Sequence, residues 1–140
     1  MPANNKKEEQ LPTEETMVLH ILLVASTEML QEVIGETIAT NLPEVTIHFY
    51  ESPNIAGIKE ILNRGQGNLI FIDWNSGDSN QLEIIKELRA INTTIPLIML
   101  ANPIEENELL KAVEAGVTTY IEKPIRSQQL WGQIKEFIDL

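Results

Sequence analysis

The stretch LIFIDWNSGDSNQLEIIKELRAINTTIPLIML, residues 69–100, decides the fold. Leu69–Ile72 is a short, wholly apolar run that ends on an acid, Asp73. A polar turn follows, and then Leu82, Ile85 and Leu88 recur at helical spacing. Pro96 next breaks the chain before a second apolar run, Leu97–Leu100. Runs of four or five apolar residues without alternation are expected for strands covered on both faces, and a helix between two of them is the signature of a parallel crossover.

The same unit repeats on either side. Further β-rich runs lie at Val18–Val24, Val45–Tyr50 and Thr119–Glu122. A helix is predicted over Glu28–Asn41 from Met29, Leu30, Val33, Ile34 and Ile38. Ser52-Pro53 predicts an N-cap and first-turn proline for a helix running through Leu62. Leu109, Leu110 and Val113 mark a fourth helix that Gly116 stops after Ala115. Ser127 is expected to cap a fifth, with Leu130, Trp131, Ile134, Phe137 and Ile138 on its apolar face. Five such repeats imply an α/β, doubly wound, five-stranded parallel sheet with five helices, joined by right-handed crossovers. Residues 1–16 are polar, with two prolines and no apolar period, and read as a flexible tail before a domain at 17–140.

Composition narrows the function. A net charge of −11 argues against nucleic-acid binding, because phosphate attracts clustered Lys and Arg. The chain has no cysteine, which removes disulfides, thiolate metal sites and cysteine nucleophiles. Its two histidines, His20 and His48, each sit in an apolar run, and neither has another His at metal-ligand spacing; both read as strand residues. The longest apolar stretch, Met17–Ala25, is too short to span a membrane and follows Glu14 and Glu15, unlike a secretory signal. The expected location is the cytoplasm. There is no nucleophile elbow, no Ser/His/Asp grouping and no carboxylate pair, so the chain is not expected to be an enzyme.

In a parallel sheet of this kind the functional crevice lies at the carboxyl ends of the strands. Those ends carry Ala25-Ser26-Thr27, Asp73 to Gly77, Ala101-Asn102-Pro103 and Lys123-Pro124. The residues FIDWNSGDSNQLEIIKELR, IPLIMLANP and EAGVTTYIEKP together resemble the receiver domains of response regulators, particularly the single-domain chemotaxis type, from Val18 to the C-terminus. The resemblance implies a flavodoxin-like strand order of 2-1-3-4-5. It also makes Asp73 the phosphoacceptor, aims Lys123 at the phosphoryl oxygens through a cis peptide before Pro124, and keeps Tyr120 as the switch aromatic.

Against that pattern stand three departures. Family members carry two acidic residues after the first strand that hold Mg²⁺; here these positions are Ala25 and Ser26. Asp73, with the main-chain carbonyl of Asn75, makes at most a weak Mg²⁺ site, and Glu28 and Asp78 match no ligand position. The switch Ser/Thr is replaced by Ala101, which has no side-chain hydroxyl, and Pro103 stands where a polar residue is usual. The leading expectation is therefore a pseudo-receiver that acts through protein contacts, with Asp73 and Lys123 joined as an ion pair. Its expected partners are a histidine kinase or a downstream effector, met on a face made by Glu105–Val113, Thr118–Tyr120 and Ser127–Gln133; a homodimer is a further candidate. The alternatives are a working phosphoacceptor at Asp73 with unusual metal dependence and, from another class, a nucleotide or flavin binder. The last is disfavoured because Ala25–Met29 contains no glycine to bring backbone N–H groups to a phosphate. Trp74 is expected on a surface loop and Trp131 in the packing face of the last helix.

Overall fold

A computed structural model describes residues 17–24, 28–52, 55–75 and 79–138. In chain order the elements are β1 (Val18–Val24), α1 (Glu28–Asn41), β2 (Thr46–Ser52), α2 (Ala56–Asn63), β3 (Leu69–Asp73), α3 (Ser79–Ile91), β4 (Leu97–Ala101), α4 (Glu106–Ala115), β5 (Thr119–Glu122) and α5 (Ser127–Phe137). The five strands form one sheet in the order β2-β1-β3-β4-β5, and every pairing is parallel. This is the 2-1-3-4-5 order expected of the doubly wound fold.

Alternation along the strands builds two cores, one on each face. Leu19, Ile21 and Leu23 of β1, Leu69 and Phe71 of β3, and Ile98 and Leu100 of β4 pack with α1 and α5 through Leu30, Ile34, Ile38, Leu130 and Ile134. Leu22 and Val24, Ile70 and Ile72, and Leu97 and Met99 point the other way, against Ile58, Ile61 and Leu62 of α2, Ile85 and Leu88 of α3, and Ala112 of α4. Such two-sided burial explains why the central strands read as unbroken apolar runs. In α1 the buried residues are Leu30, Ile34, Thr37 and Ile38, the i, i+4, i+7, i+8 stripe of an amphipathic helix.

Several local expectations are corrected. β2 runs on to Ser52, pairing Glu51 and Ser52 with Leu23 and Val24. Sheet pairing therefore claims Ser52 and α2 starts only at Ala56, with Ile55 as an N-cap that makes no side-chain capping bond; residues 53–54 lie outside the described residues. α5 begins at Ser127 itself, so Arg126 holds the extended cap position and the serine is already the first helical residue. Met29 turns away from the core and is 73% exposed, and of the fourth helix's apolar residues Leu110 and Val113 are exposed while Ala112 is buried. The glycine stop is as expected. Gly116 has φ +132° and its N–H closes on Ala112 and Val113 carbonyls.

Candidate functional site

β3 ends at Asp73, whose backbone is held from two sides. The Trp74 N–H donates to the Leu100 carbonyl of β4 at 2.8 Å. From α3, the side-chain amide of Gln81 bridges the turn: its Nε2 donates to the Asp73 carbonyl at 2.9 Å and its Oε1 accepts from the Asn75 N–H at 2.7 Å. Among the described residues, Gln81 and Thr37 are the buried polar side chains. A buried amide is retained when all its groups find partners, and this one replaces a missing backbone ladder where the chain leaves the sheet. Sequence reading missed Gln81, because only the path of the turn puts residue 81 against residues 73 and 75.

Lys123 approaches from the end of β5. Its N–H donates to the Ala101 carbonyl at 2.7 Å, and the Lys123–Pro124 peptide is cis. The ammonium donates to Asp73 Oδ1 at 2.5 Å. The carboxylate side chain is 13% exposed and the lysine 30%, so the pair is largely shielded but still reachable. Beside it opens a cleft of about 380 Å³ lined by Met29, Leu30, Val33, Asp73, Lys123, Pro124 and Ile125.

The remaining predicted positions divide. Ala101 is fully buried at the end of β4, in register with Glu122 of β5 and one residue beyond Leu100, the register partner of Asp73. Its methyl group contributes no hydrogen bond to the strand ends. Tyr120 is exposed on β5 and is not part of the Asp73–Lys123 cluster. Asn75 is exposed next to the acceptor turn. Ala25 and Ser26 lie outside the described residues, as does Asp78; Glu28 is exposed at the start of α1. Among the described residues no three His, Cys, Asp or Glu side chains converge.

Trp74 departs from expectation. It is 4% exposed, not a surface-loop aromatic, and its Nε1 donates to Glu108 Oε2 of α4 at 2.9 Å. The chain after Asp73 turns inward under α4, where an indole can bury its rings and still satisfy its one donor. Trp131 packs against the α1/α5 core as predicted.

The class these features define is a doubly wound α/β domain with an acid and a lysine paired at the carboxyl ends of its parallel strands. The chain belongs to the response regulator receiver domain family, which residues 21–135 match. It is similar to chemotaxis protein CheY1 of Helicobacter pylori, 38% identical over 64 residues that make up 44% of this chain and 52% of that protein. It also resembles the phosphate regulon transcriptional regulatory protein PhoB of Pseudomonas aeruginosa, 28% identical over 104 residues, 73% of this chain and 45% of that protein. The chain thus spans about half the length of the curated relatives it matches. Among solved structures, a response regulator from Thermotoga maritima superposes with a TM-score of 0.71 at 19% identity, over 87% of this chain and 98% of that one. A CheY-like protein, tadZ, from Pseudomonas aeruginosa gives 0.71 at 13% identity, over 86% and 99%. Receiver domains are the modules of two-component systems that meet kinases or effectors. Among the described residues, no helix is long and apolar enough to cross a membrane.

Proposed function

We propose that this chain is an atypical receiver, a contact module that passes a signal through its own surface with little control by phosphoryl transfer and no catalytic turnover. The observation that carries the reading is the buried methyl of Ala101, one residue past the register partner of Asp73 at the end of β4, where a hydroxyl would be needed to follow an incoming phosphoryl group. Two others support it. The Asp73 carboxylate is already engaged by Lys123, and the positions after β1 that hold Mg²⁺ in the family are Ala25 and Ser26. A single carboxylate facing an ammonium is a poor match for Mg²⁺, which requires several hard oxygen donors in near-octahedral array.

The output surface in this reading is the face of α4, β5 and α5. Leu110 and Val113 are exposed on α4, and Tyr120 is exposed on β5. Exposed apolar groups on this helix and strand suit a protein partner, either a histidine kinase or a downstream effector, or a second copy of the chain. The cytoplasm is the compartment this reading implies.

A second reading has its own support. Asp73 keeps partial exposure, its backbone is fixed by Gln81, and Lys123 is placed to meet an anion, so phosphorylation of Asp73 with unusual metal dependence is the alternative. Titration with Mg²⁺ and then beryllofluoride, followed by the fluorescence of Trp74 in a Trp131→Phe background, separates the two. The atypical reading predicts no saturable change in the millimolar range. A saturable, Mg²⁺-dependent change that Asp73→Asn abolishes would replace it with the phosphoacceptor reading.

A further inference from the structure

The chain's two imidazoles lie far apart in sequence and side by side in the fold. His20 of β1 and His48 of β2 are register partners in the parallel pairing of these strands. Both project to the sheet face that carries Leu22 and Tyr50, at the end of the sheet remote from Asp73. His20 precedes the strand-end residue Val24 by four positions, or about 13 Å at strand rise. His20 is half-buried and His48 is exposed.

The pair is geometrically organised. The ring centroids are 5.5 Å apart with an interplanar angle of 81°. His20 Nδ1 lies 2.8 Å from the Tyr50 hydroxyl, with the two rings stacked at 5.6 Å. The backbone of His20 is pinned by Asn68, whose Oδ1 accepts from the His20 N–H at 2.7 Å and whose N–H donates to the His20 carbonyl at 2.8 Å. A bound ion at a metal–nitrogen distance of about 2.05 Å sits about 3.2 Å from each ring centre, so two imidazoles at a tetrahedral angle have centres about 5.2 Å apart. The observed separation of 5.5 Å is compatible with that requirement, and rotation of the exposed His48 ring would turn a nitrogen toward a shared ion.

We propose that His20 and His48 form a two-imidazole site for a borderline divalent transition ion of the Zn²⁺, Ni²⁺ or Cu²⁺ kind, with water in the remaining positions. In the ligating tautomer His20 donates its Nδ1–H to the Tyr50 hydroxyl and presents the Nε2 lone pair to the ion. Orienting a ligand histidine through its second nitrogen is the usual device of metal sites, and Tyr50 is the positioning residue here. Imidazole selects such ions over Mg²⁺, so this site is chemically separate from the Asp73 end of the sheet. With two protein ligands it exchanges its ion readily, unlike a closed four-ligand structural site.

The test is direct because the whole chain contains no other histidine and no cysteine. Zn²⁺ is titrated into the full chain at neutral pH while proton–nitrogen correlation spectra follow both imidazoles. Both rings shift together and saturate at one ion per chain in the sub-millimolar range, and Mg²⁺ leaves them unmoved. His48→Gln, at an exposed position that leaves the fold intact, weakens binding at least about tenfold, and Tyr50→Phe weakens it by a smaller factor without abolishing it. Asp73→Asn leaves the titration unchanged. Independent titration of the two rings, wild-type affinity in His48→Gln, or loss of the response in Asp73→Asn would each overturn the proposal.

Discussion

At the scale of single residues, Arg89 and Gln81 show how polar side chains fix this fold. The Arg89 guanidinium donates to the Gly116, Asn92 and Ile95 carbonyls and to the Thr118 hydroxyl, at 2.6 to 3.2 Å. Desolvation lowers its pKa from the ordinary arginine value, and its partners are neutral acceptors. Arg89→Ala strands those acceptors and is expected to cost about 3 kcal/mol in chemical denaturation, with Arg89→Lys recovering little because an ammonium lacks the planar fork. Gly116→Ala is expected to cost about 2 kcal/mol or more: φ is +132°, and a Cβ would lie 2.4 Å from Arg89 Cγ. Thr37 runs the other way. Its buried hydroxyl has no hydrogen-bond partner, so Thr37→Val should raise stability by about 1 kcal/mol, read from the denaturation midpoint. Asp73 and Lys123 were legible in the sequence because strand-end positions follow from strand assignment. The Gln81 bridge, the Trp74–Glu108 bond and the His20–His48 pair were not, since each depends on the path of a turn or on which strands become neighbours.

At the scale of elements, the strands were the most legible feature, because burial on both faces leaves apolar runs too short for a helix and bounded by turn residues. β1 and β5 fall where the sequence predicts them, and β3 and β4 each extend by one residue to take in Asp73 and Ala101. The start of α2 is not set by Ser52-Pro53, because Ser-Pro chemistry is local whereas pairing of β2 with β1 is not. α4 is the instructive element. Leu110 and Val113 keep helical spacing with Leu109, yet they face solvent and only Ala112 is buried. Periodicity reports that a helix has an apolar side but not what that side meets. The double substitution Leu110→Ser, Val113→Ser should change stability by less than about 1 kcal/mol, as exposed positions do, while abolishing capture of the partner on the α4-β5-α5 face. Unchanged capture with a folded variant would move the output surface elsewhere.

At the scale of the whole molecule, a net charge of −11 spread over 140 residues makes the compact state repel itself. Raising NaCl to about 0.3 M should therefore lift the melting temperature by a few degrees, through screening at a Debye length of several ångströms. A fall with salt would mean that ion pairs such as Lys59–Glu87, 2.9 Å apart between α2 and α3, outweigh the repulsion. The topology also gives the Arg89 cluster a place in time. Its bonds to Gly116 and Thr118 join segments 27 and 29 residues apart, and they close only after the β3-α3-β4 and β4-α4-β5 crossovers have both docked. Contacts that depend on both crossovers are expected to lie outside the folding nucleus. Arg89→Ala should accordingly leave the refolding rate almost unchanged and steepen nothing but the escape from the native state, so that the arginine sets how long a folded molecule lasts and not how quickly one is made.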